Sequence, residues 1–173
     1  MANTVVPQAQ KILSVSENCL KLIETFECSG QVTDYLKAYI CPAGVWTIGI
    51  GTTIFPNGQR VKQGDEITES QAFDFLRFDL RTTQQLVDAF TTDLVNQAQF
   101  DSLVSFAYNV GTNALKGSTL LKKVNINPND PLIGKEFGKW VYAGGKILPG
   151  LVRRRKAESW LYLNGTLKFD FIP

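Results

Sequence analysis

Cys19, Leu22, Ile23 and Phe26 recur at helical spacing and gather on one face of a helix. The stretch Ser14-Val-Ser-Glu17 just ahead has capping-box form and predicts the helix start. The N-terminal helix is therefore expected over about 14–27. Wound at about 100° per residue, Glu27 falls on the flank of the apolar face. Glu24 lies farther toward the polar side, so Glu27 is expected to be the less solvated carboxylate.

After Glu27 the pattern changes. The chain is aromatic and apolar from Tyr35 to about Ile40, turns at Cys41-Pro42-Ala43-Gly44, and returns as a strand from Val45 to Gly51. A second turn signal stands at Pro56-Asn57-Gly58, with Thr52–Phe55 and Gln59–Lys62 as its short arms. These predict a small antiparallel sheet of about three strands.

Helical patterning then resumes. Thr68-Glu-Ser-Gln71 is another capping box, opening a long helix with Phe73, Leu76, Leu80 and Leu86. A helix from near Asp93 to Val110 stops at Gly111. A shorter one is expected at about Ala114–Lys123, a loop at Asn125–Asp130, and another helix from Pro131 to about Ala143. Pro149 can open a last helix that ends at Asn164-Gly165. No internal repeat or low-complexity tract interrupts this order. The class is α+β: one domain over 1–173, with a β lobe at about 28–64, a larger helical lobe at about 65–173 and a cleft between them.

Composition narrows the chemistry. Of 173 residues, 44% are hydrophobic, enough for a sizeable core in one domain. The net charge of +2 is too weak to indicate nucleic acid. The basic run Arg153-Arg154-Arg155-Lys156 is the local exception, and a solvated helix face is its plain explanation. Histidine is absent, which removes Ser-His-Asp and Cys-His hydrolases and HExxH zinc sites. Acid–base work must then fall to a carboxyl, Cys, Tyr or Lys. Cys19, Cys28 and Cys41 have no metal-like spacing, and reduced thiols are expected. No metal or cofactor is implied. The opening MANTVVPQAQKILSV lacks the form of a signal peptide, and no stretch has transmembrane length, so stable membrane insertion is not expected.

Glu27 stands where the first helix enters the β lobe, at a junction where clefts form. Cys41 and Thr47 lie on adjacent strands, and a thiol and a hydroxyl opposite a carboxyl could hold a water. Gly44, Gly49 and Gly51 would let a bulky ligand approach backbone. Tyr35, Tyr39 and Trp46 offer flat faces for a sugar. The same residues could equally serve structure, with Glu27 in a salt bridge, Cys41 and the aromatics in packing, and Thr47 as a strand former.

Phe26-Glu27, followed by Leu36-Lys-Ala-Tyr-Ile-Cys-Pro-Ala-Gly-Val-Trp-Thr-Ile-Gly-Ile-Gly51, resembles the active-site region of phage-type lysozymes, the endolysin muramidases of glycoside hydrolase family 24. Phe106-Ala-Tyr-Asn-Val-Gly111, Gly150-Leu-Val-Arg-Arg-Arg-Lys-Ala-Glu158 and Trp160-Leu-Tyr162 extend the resemblance, which runs from about Ser14 to Tyr162. It implies a two-lobed lysozyme-like fold. It also implies cleavage of the β-1,4 bond between N-acetylmuramic acid and N-acetylglucosamine in peptidoglycan, causing host lysis. The family's catalytic glutamate falls on Glu27, its Asp-or-Cys position on Cys41 and its threonine on Thr47. Asn109 matches a family signature, although a role in ending a helix serves as well. Two departures stand out. The stretch from Glu27 to Cys41 is several residues longer than usual, and Thr52 stands where many members carry histidine.

In that setting Glu27 would be the general acid, holding a proton that partial burial favours and a nearby arginine opposes. Cys41 would shape a water site with Thr47 rather than act as a full base, and Asp34 in the longer segment is an alternative second carboxylate. Trp46 and Tyr39 would contact sugar. On the last helix Ala157, Trp160 and Leu161 mark an apolar face, with Arg153 near its centre, Arg154 on its flank and Arg155 pointing away. Arg153 or Arg154 could pair with Glu27, the others favouring the anionic wall. Rival possibilities are a lytic transglycosylase, a non-catalytic peptidoglycan-binding module and a membrane-disrupting protein. With no visible secretion signal and with free cysteines that suit the cytoplasm, a monomer is expected that waits in the host cytoplasm and reaches periplasmic peptidoglycan through a separate holin-like pore.

Overall fold

The computed structural model describes residues 13–170. Its first helix, α1 (Glu17–Glu27), begins two residues later than the Ser14 pattern predicts. Ser16 is the cap, accepting the Asn18 N–H at 3.2 Å. The reason is tertiary: the buried Asp101 carboxylate takes the Ser16 backbone N–H at 3.0 Å and also its hydroxyl. That anchor fixes where the helix starts.

The expected three-stranded sheet is a two-stranded ribbon with single bridges. β1 (Tyr39–Ile40) pairs antiparallel with β2 (Trp46–Thr47), Tyr39 opposite Thr47 and Ile40 opposite Trp46. A 3₁₀ turn, Val32–Tyr35, precedes it. Beyond β2 only isolated bridges continue, Ile48 with Thr52, Ile54 with Arg60 and Lys37 with Glu66. Glycine explains the collapse. Gly49 and Gly51 sit at φ 58° and 85°, and the chain turns back so that Ile48 and Thr52 exchange backbone hydrogen bonds of 2.9 and 3.1 Å. The segment expected to be a strand to Gly51 is thus a tight turn.

Gly49 is held from two sides. Its N–H donates to the Tyr35 carbonyl at 2.8 Å, and its carbonyl accepts the Cys28 thiol at 3.5 Å. A Cβ there would lie 3.0 Å from the Ala72 Cβ and 3.1 Å from Ile67. Gly49→Ala is therefore expected to lower unfolding free energy by at least about 1 kcal/mol from the left-handed backbone alone, with the collision adding to it. A urea midpoint equal to that of the parent would contradict this.

The helical part begins with α2 (Glu69–Phe90), about 33 Å long, opened by the predicted Thr68–Gln71 capping box. Leu76, Leu80 and Val87 point into the core, while Leu86 is only half-buried. α3 (Gln97–Val110) is almost wholly buried from Gln99 to Ala107 and is the central element, packed by α1, α2 and the last helix. It starts at an Asn96–Gln99 capping box rather than near Asp93, and ends at Gly111. The single helix expected near 114–123 is two, α4 (Thr112–Gly117) and α5 (Thr119–Ile126). Ser118 divides them by recapping: its hydroxyl accepts the Leu121 N–H at 3.0 Å.

The helix predicted to reach Ala143 is short. α6 spans only Ile133–Phe137, and β3 (Tyr142–Ala143) and β4 (Lys146–Ile147) form a hairpin around Gly144 and Gly145, at φ 56° and 76°. Two consecutive positive-φ residues suit a tight hairpin turn. α7 (Pro149–Asn164) closes with Gly165 as the left-handed cap, as the sequence predicts. The main core runs from Leu20 and Ile23 through Leu76, Phe100, Leu103 and Phe106 to Phe137 and Tyr162. A second cluster of Leu22, Ala157 and Leu161 is covered by Phe26, Leu167 and Phe169. The fold is mostly helical, with the small ribbon set after the first helix.

Candidate active site

Glu27 is the last residue of α1, and its side chain is 33% exposed. One oxygen accepts a hydrogen bond from Arg154 Nη1 at 2.8 Å. The wheel-based expectation about the two carboxylates is reversed: Glu24, not Glu27, is the less solvated, at 2% exposed. Glu24 binds Lys21 Nζ at 2.6 Å and accepts the Val32 N–H at 3.3 Å. The chain after α1 folds back over that flank, which helical periodicity alone does not register. Glu24 thus organises the longer segment between α1 and β1, and Glu27 remains open to a cleft.

The cleft has a volume of about 570 Å³, and Phe26, Glu27, Asn109, Leu148, Arg153 and Arg154 are among its lining residues. Four predicted positions, Glu27, Asn109, Arg153 and Arg154, therefore meet there. Arg154 is 3% exposed. Its Nε lies 3.1 Å from Glu158 Oε1, its Nη2 donates to the Ser105 carbonyl at 3.4 Å, and its guanidinium stands 5.6 Å from the Phe26 ring. Burial opposes its charge, but Glu158 and Glu27 outweigh that and leave the guanidinium more basic than usual.

Arg155 does not point away. It is 1% exposed, 3.0 Å from Glu158 Oε2, bonded to Asn109 Oδ1 and set against the Phe106 ring. A solvated face for the whole basic run is likewise overturned. The cause is that α7 packs against α3, α6 and α1, so neighbours cover more than one of its faces. A single-face projection fails for such a helix. Trp160 of the expected apolar face is only half-buried, whereas Ala157 and Leu161 are buried.

The other predicted positions lie on the ribbon, outside the residues lining this cavity. Thr47 is 4% exposed and donates to the Val45 carbonyl at 3.0 Å. The half-buried Cys41 thiol is held below its ordinary pKa by hydrogen bonding to the Val45 backbone, then by the Thr47 side chain and the Ala43 backbone. Tyr39 packs against Tyr35 in a tilted ring pair with centroids 5.2 Å apart, and Trp46 is half-buried. Burial raises the Tyr39 phenol, and Cys28, Tyr35, Cys41 and Glu27 add to it, so Tyr39 feels both the ribbon thiol and the cleft carboxylate. Asp34 is exposed on the 3₁₀ turn and lines no part of the cleft.

All three cysteines are free, but their thiols differ. Burial pushes Cys28 up to about 12 and Cys19 well above its usual value. Iodoacetamide at about pH 8 is thus expected to label Cys41 first, because the thiolate is the reactive species. Peptide mapping showing Cys19 or Cys28 labelled as fast would refute this order.

Sequence reasoning missed Glu158 and Ser105, whose hydroxyl donates to Glu158 Oε1 at 2.9 Å. The signal was present for Glu158, which is four residues after Arg154 and three after Arg155, both facing positions on a helix.

A family model described as phage lysozyme matches residues 33–158. The chain is 40% identical over 156 residues to an endolysin of Bacillus phage B103, covering 90% of this chain and 56% of that one. It therefore spans little more than half of that relative's length. It is 38% identical to an endolysin of Acyrthosiphon pisum secondary endosymbiont phage 1, covering 87% and 98% of the two chains. The solved endolysin of Escherichia coli O157:H7 phage FAHEc1 superposes with a TM-score of 0.80 at 32% identity, over 92% of this chain and 99% of that one. A protein of Enterobacteria phage PA-2 named a SAR-endolysin is 32% identical over 70% of this chain and 71% of its own length. The chain belongs to the phage lysozyme family.

Proposed function

We propose that the protein is an endolysin that hydrolyses peptidoglycan as an N-acetylmuramidase. It would cut the β-1,4 bond between N-acetylmuramic acid and N-acetylglucosamine and so lyse the host. The observation that carries this is the partly exposed Glu27 carboxyl in the cleft, held by the buried Arg154. Bond cleavage needs a proton on the leaving oxygen and stabilisation of an oxocarbenium-like centre. Glu27 supplies the proton. To do so it must loosen from Arg154, and a glycan filling the cleft and excluding water favours that change.

Cys41, whose thiol the Thr47 side chain helps to hold below its ordinary pKa, would place the attacking water together with Thr47. Tyr39 and Trp46 offer ring faces to sugar from the ribbon, and Asn109 and Arg153 meet it from the helical side. Analysis of the products separates the two enzyme readings. New reducing ends from purified peptidoglycan are expected; anhydro-muramyl ends would make the protein a lytic transglycosylase instead. No cleavage at all would leave a binding module.

Release is proposed to depend on a separate holin-like membrane lesion, the protein staying in the host cytoplasm as a monomer until then. No helix among the described residues is long and apolar enough to cross a membrane. The stretch on which the absence of a signal peptide was argued lies largely outside the described residues, and a relative is named a SAR-endolysin. Lysis of cells expressing this protein alone, without permeabilisation, would favour self-export.

A further inference from the structure

We infer that Glu158 is a positioning residue that holds both sides of the catalytic cleft, setting Glu27 through Arg154 and Asn109 through Arg155. The inference rests on the role of Glu27 as the acid. Glu158 is 0% exposed, and each of its oxygens faces a different arginine. Oε1 lies 3.1 Å from Arg154 Nε and accepts the Ser105 hydroxyl at 2.9 Å; Oε2 lies 3.0 Å from Arg155 Nη1. Each arginine then reaches past Glu158 to a cleft residue. Arg154 Nη1 bonds Glu27 at 2.8 Å, and Arg155 Nη2 bonds Asn109 Oδ1.

Arg155 Nε, Arg155 Nη1 and Glu158 Oε2 have no hydrogen-bond partner among the described residues, so Glu158 holds Arg155 by charge at 3.0 Å and not by a hydrogen bond. The direction of that guanidinium therefore depends on Glu158, Asn109 and the face of Phe106. One buried anion thus fixes two buried cations whose far ends carry the site.

Other titratable groups surround the cluster, among them the carboxyls of Asp101 and Asp79 and the guanidinium of Arg153. Cys19 on α1 feels Asp101, Glu158 and Arg154; Tyr108 on α3 feels Glu27, Asp79, Arg154 and Cys28; Tyr39 on β1 and Cys28 also feel Glu27. Burial raises each of these thiols and phenols, which keeps it uncharged. Of the two cations that line the cleft with Glu27, Arg153 and Arg154, it is Arg154 that bonds it, offset from behind by Glu158. With Glu158 neutral, Arg154 would act on Glu27 uncompensated and favour its anion. A general acid works only while protonated, so the alkaline fall of activity would move to lower pH.

Initial rates on purified peptidoglycan, across substrate concentration and pH, test this with parent, Glu158→Gln and Glu158→Asp. For Glu158→Gln, kcat is expected to fall about tenfold or more, with the alkaline limb about one pH unit lower. Apparent KM should rise about threefold as Asn109 loses its guide. Glu158→Asp keeps the charge and should restore the limb while kcat stays below the parent. A purely structural residue would change the amount of folded protein and leave the limb in place. Folded Glu158→Gln with the parent's kcat and limb overturns the inference.

If Glu158→Gln does not fold, Ser105→Ala decides, since it keeps the charge and removes one of the two hydrogen bonds that hold Glu158 Oε1. A two- to fivefold fall in kcat, on the order of one lost hydrogen bond, is expected, and an unchanged kcat overturns the inference. Glu27→Gln measured alongside separates the two levels. If it retains activity, the role of Glu27 itself fails; if it is inactive while Glu158→Gln matches the parent, only the positioning role fails.

Discussion

Replacement of Glu27 by glutamine is expected to lower the initial lysis rate of permeabilised cells by roughly a thousandfold, within the range that general acid catalysis supplies. Glutamine is nearly isosteric and still accepts the Arg154 hydrogen bond through its amide oxygen, but it has no proton to give the glycosidic oxygen. The fold should survive, because Glu27 ends α1 at the surface and the core passes beneath it. Near-UV circular dichroism matching the parent would establish that. Lysis within tenfold of the parent would show that another group delivers the proton. Persistent killing with no glycan cleavage would transfer the activity to membrane disruption.

The second large effect concerns stability. Arg154→Met is expected to destabilise by about 3–5 kcal/mol, the usual consequence of removing one partner from a buried ion pair. For a chain of this size that is a fall in melting temperature on the order of 10 °C. Methionine fills similar space, so the loss comes from Glu158, left with Arg155 and the Ser105 hydroxyl. The double variant Arg154→Met/Glu158→Gln should lose less than the sum of the single changes, because both act on one interaction. A cost below about 1 kcal/mol for Arg154→Met would mean the pair behaves like a surface salt bridge.

What the sequence revealed divides along local and long-range lines. The Thr68 capping box, the Gly111 and Gly165 helix ends and Pro149 as a helix opener act within a few residues, and all were legible. The start of α1 was not, because Asp101 from α3 selects Ser16 over Ser14. The sheet was overread because apolar alternation around Gly49 and Gly51 outweighed their backbone freedom, which the structure uses for a turn. At the site, residue types and the family resemblance brought Glu27, Asn109, Arg153 and Arg154 to one cleft. Burial was the weak point. Glu24 and Arg155 are covered by elements distant in sequence or by helices on more than one side, and neither effect leaves a mark in helical periodicity.

The pairing of Glu27 with Arg154 joins positions 127 residues apart. During synthesis from the N-terminus, Glu27 emerges 127 residues before Arg154. A nascent chain that lacks α7 has neither the far wall of the cleft nor the helix that seals Leu22 and Phe26. Closure of so long a loop comes late in folding, since its entropy must be spent before the contact rewards it. A ribosome-bound intermediate that lacks α7 is thereby kept without a complete cleft, and Glu27 meets Arg154 only after α7 has been made.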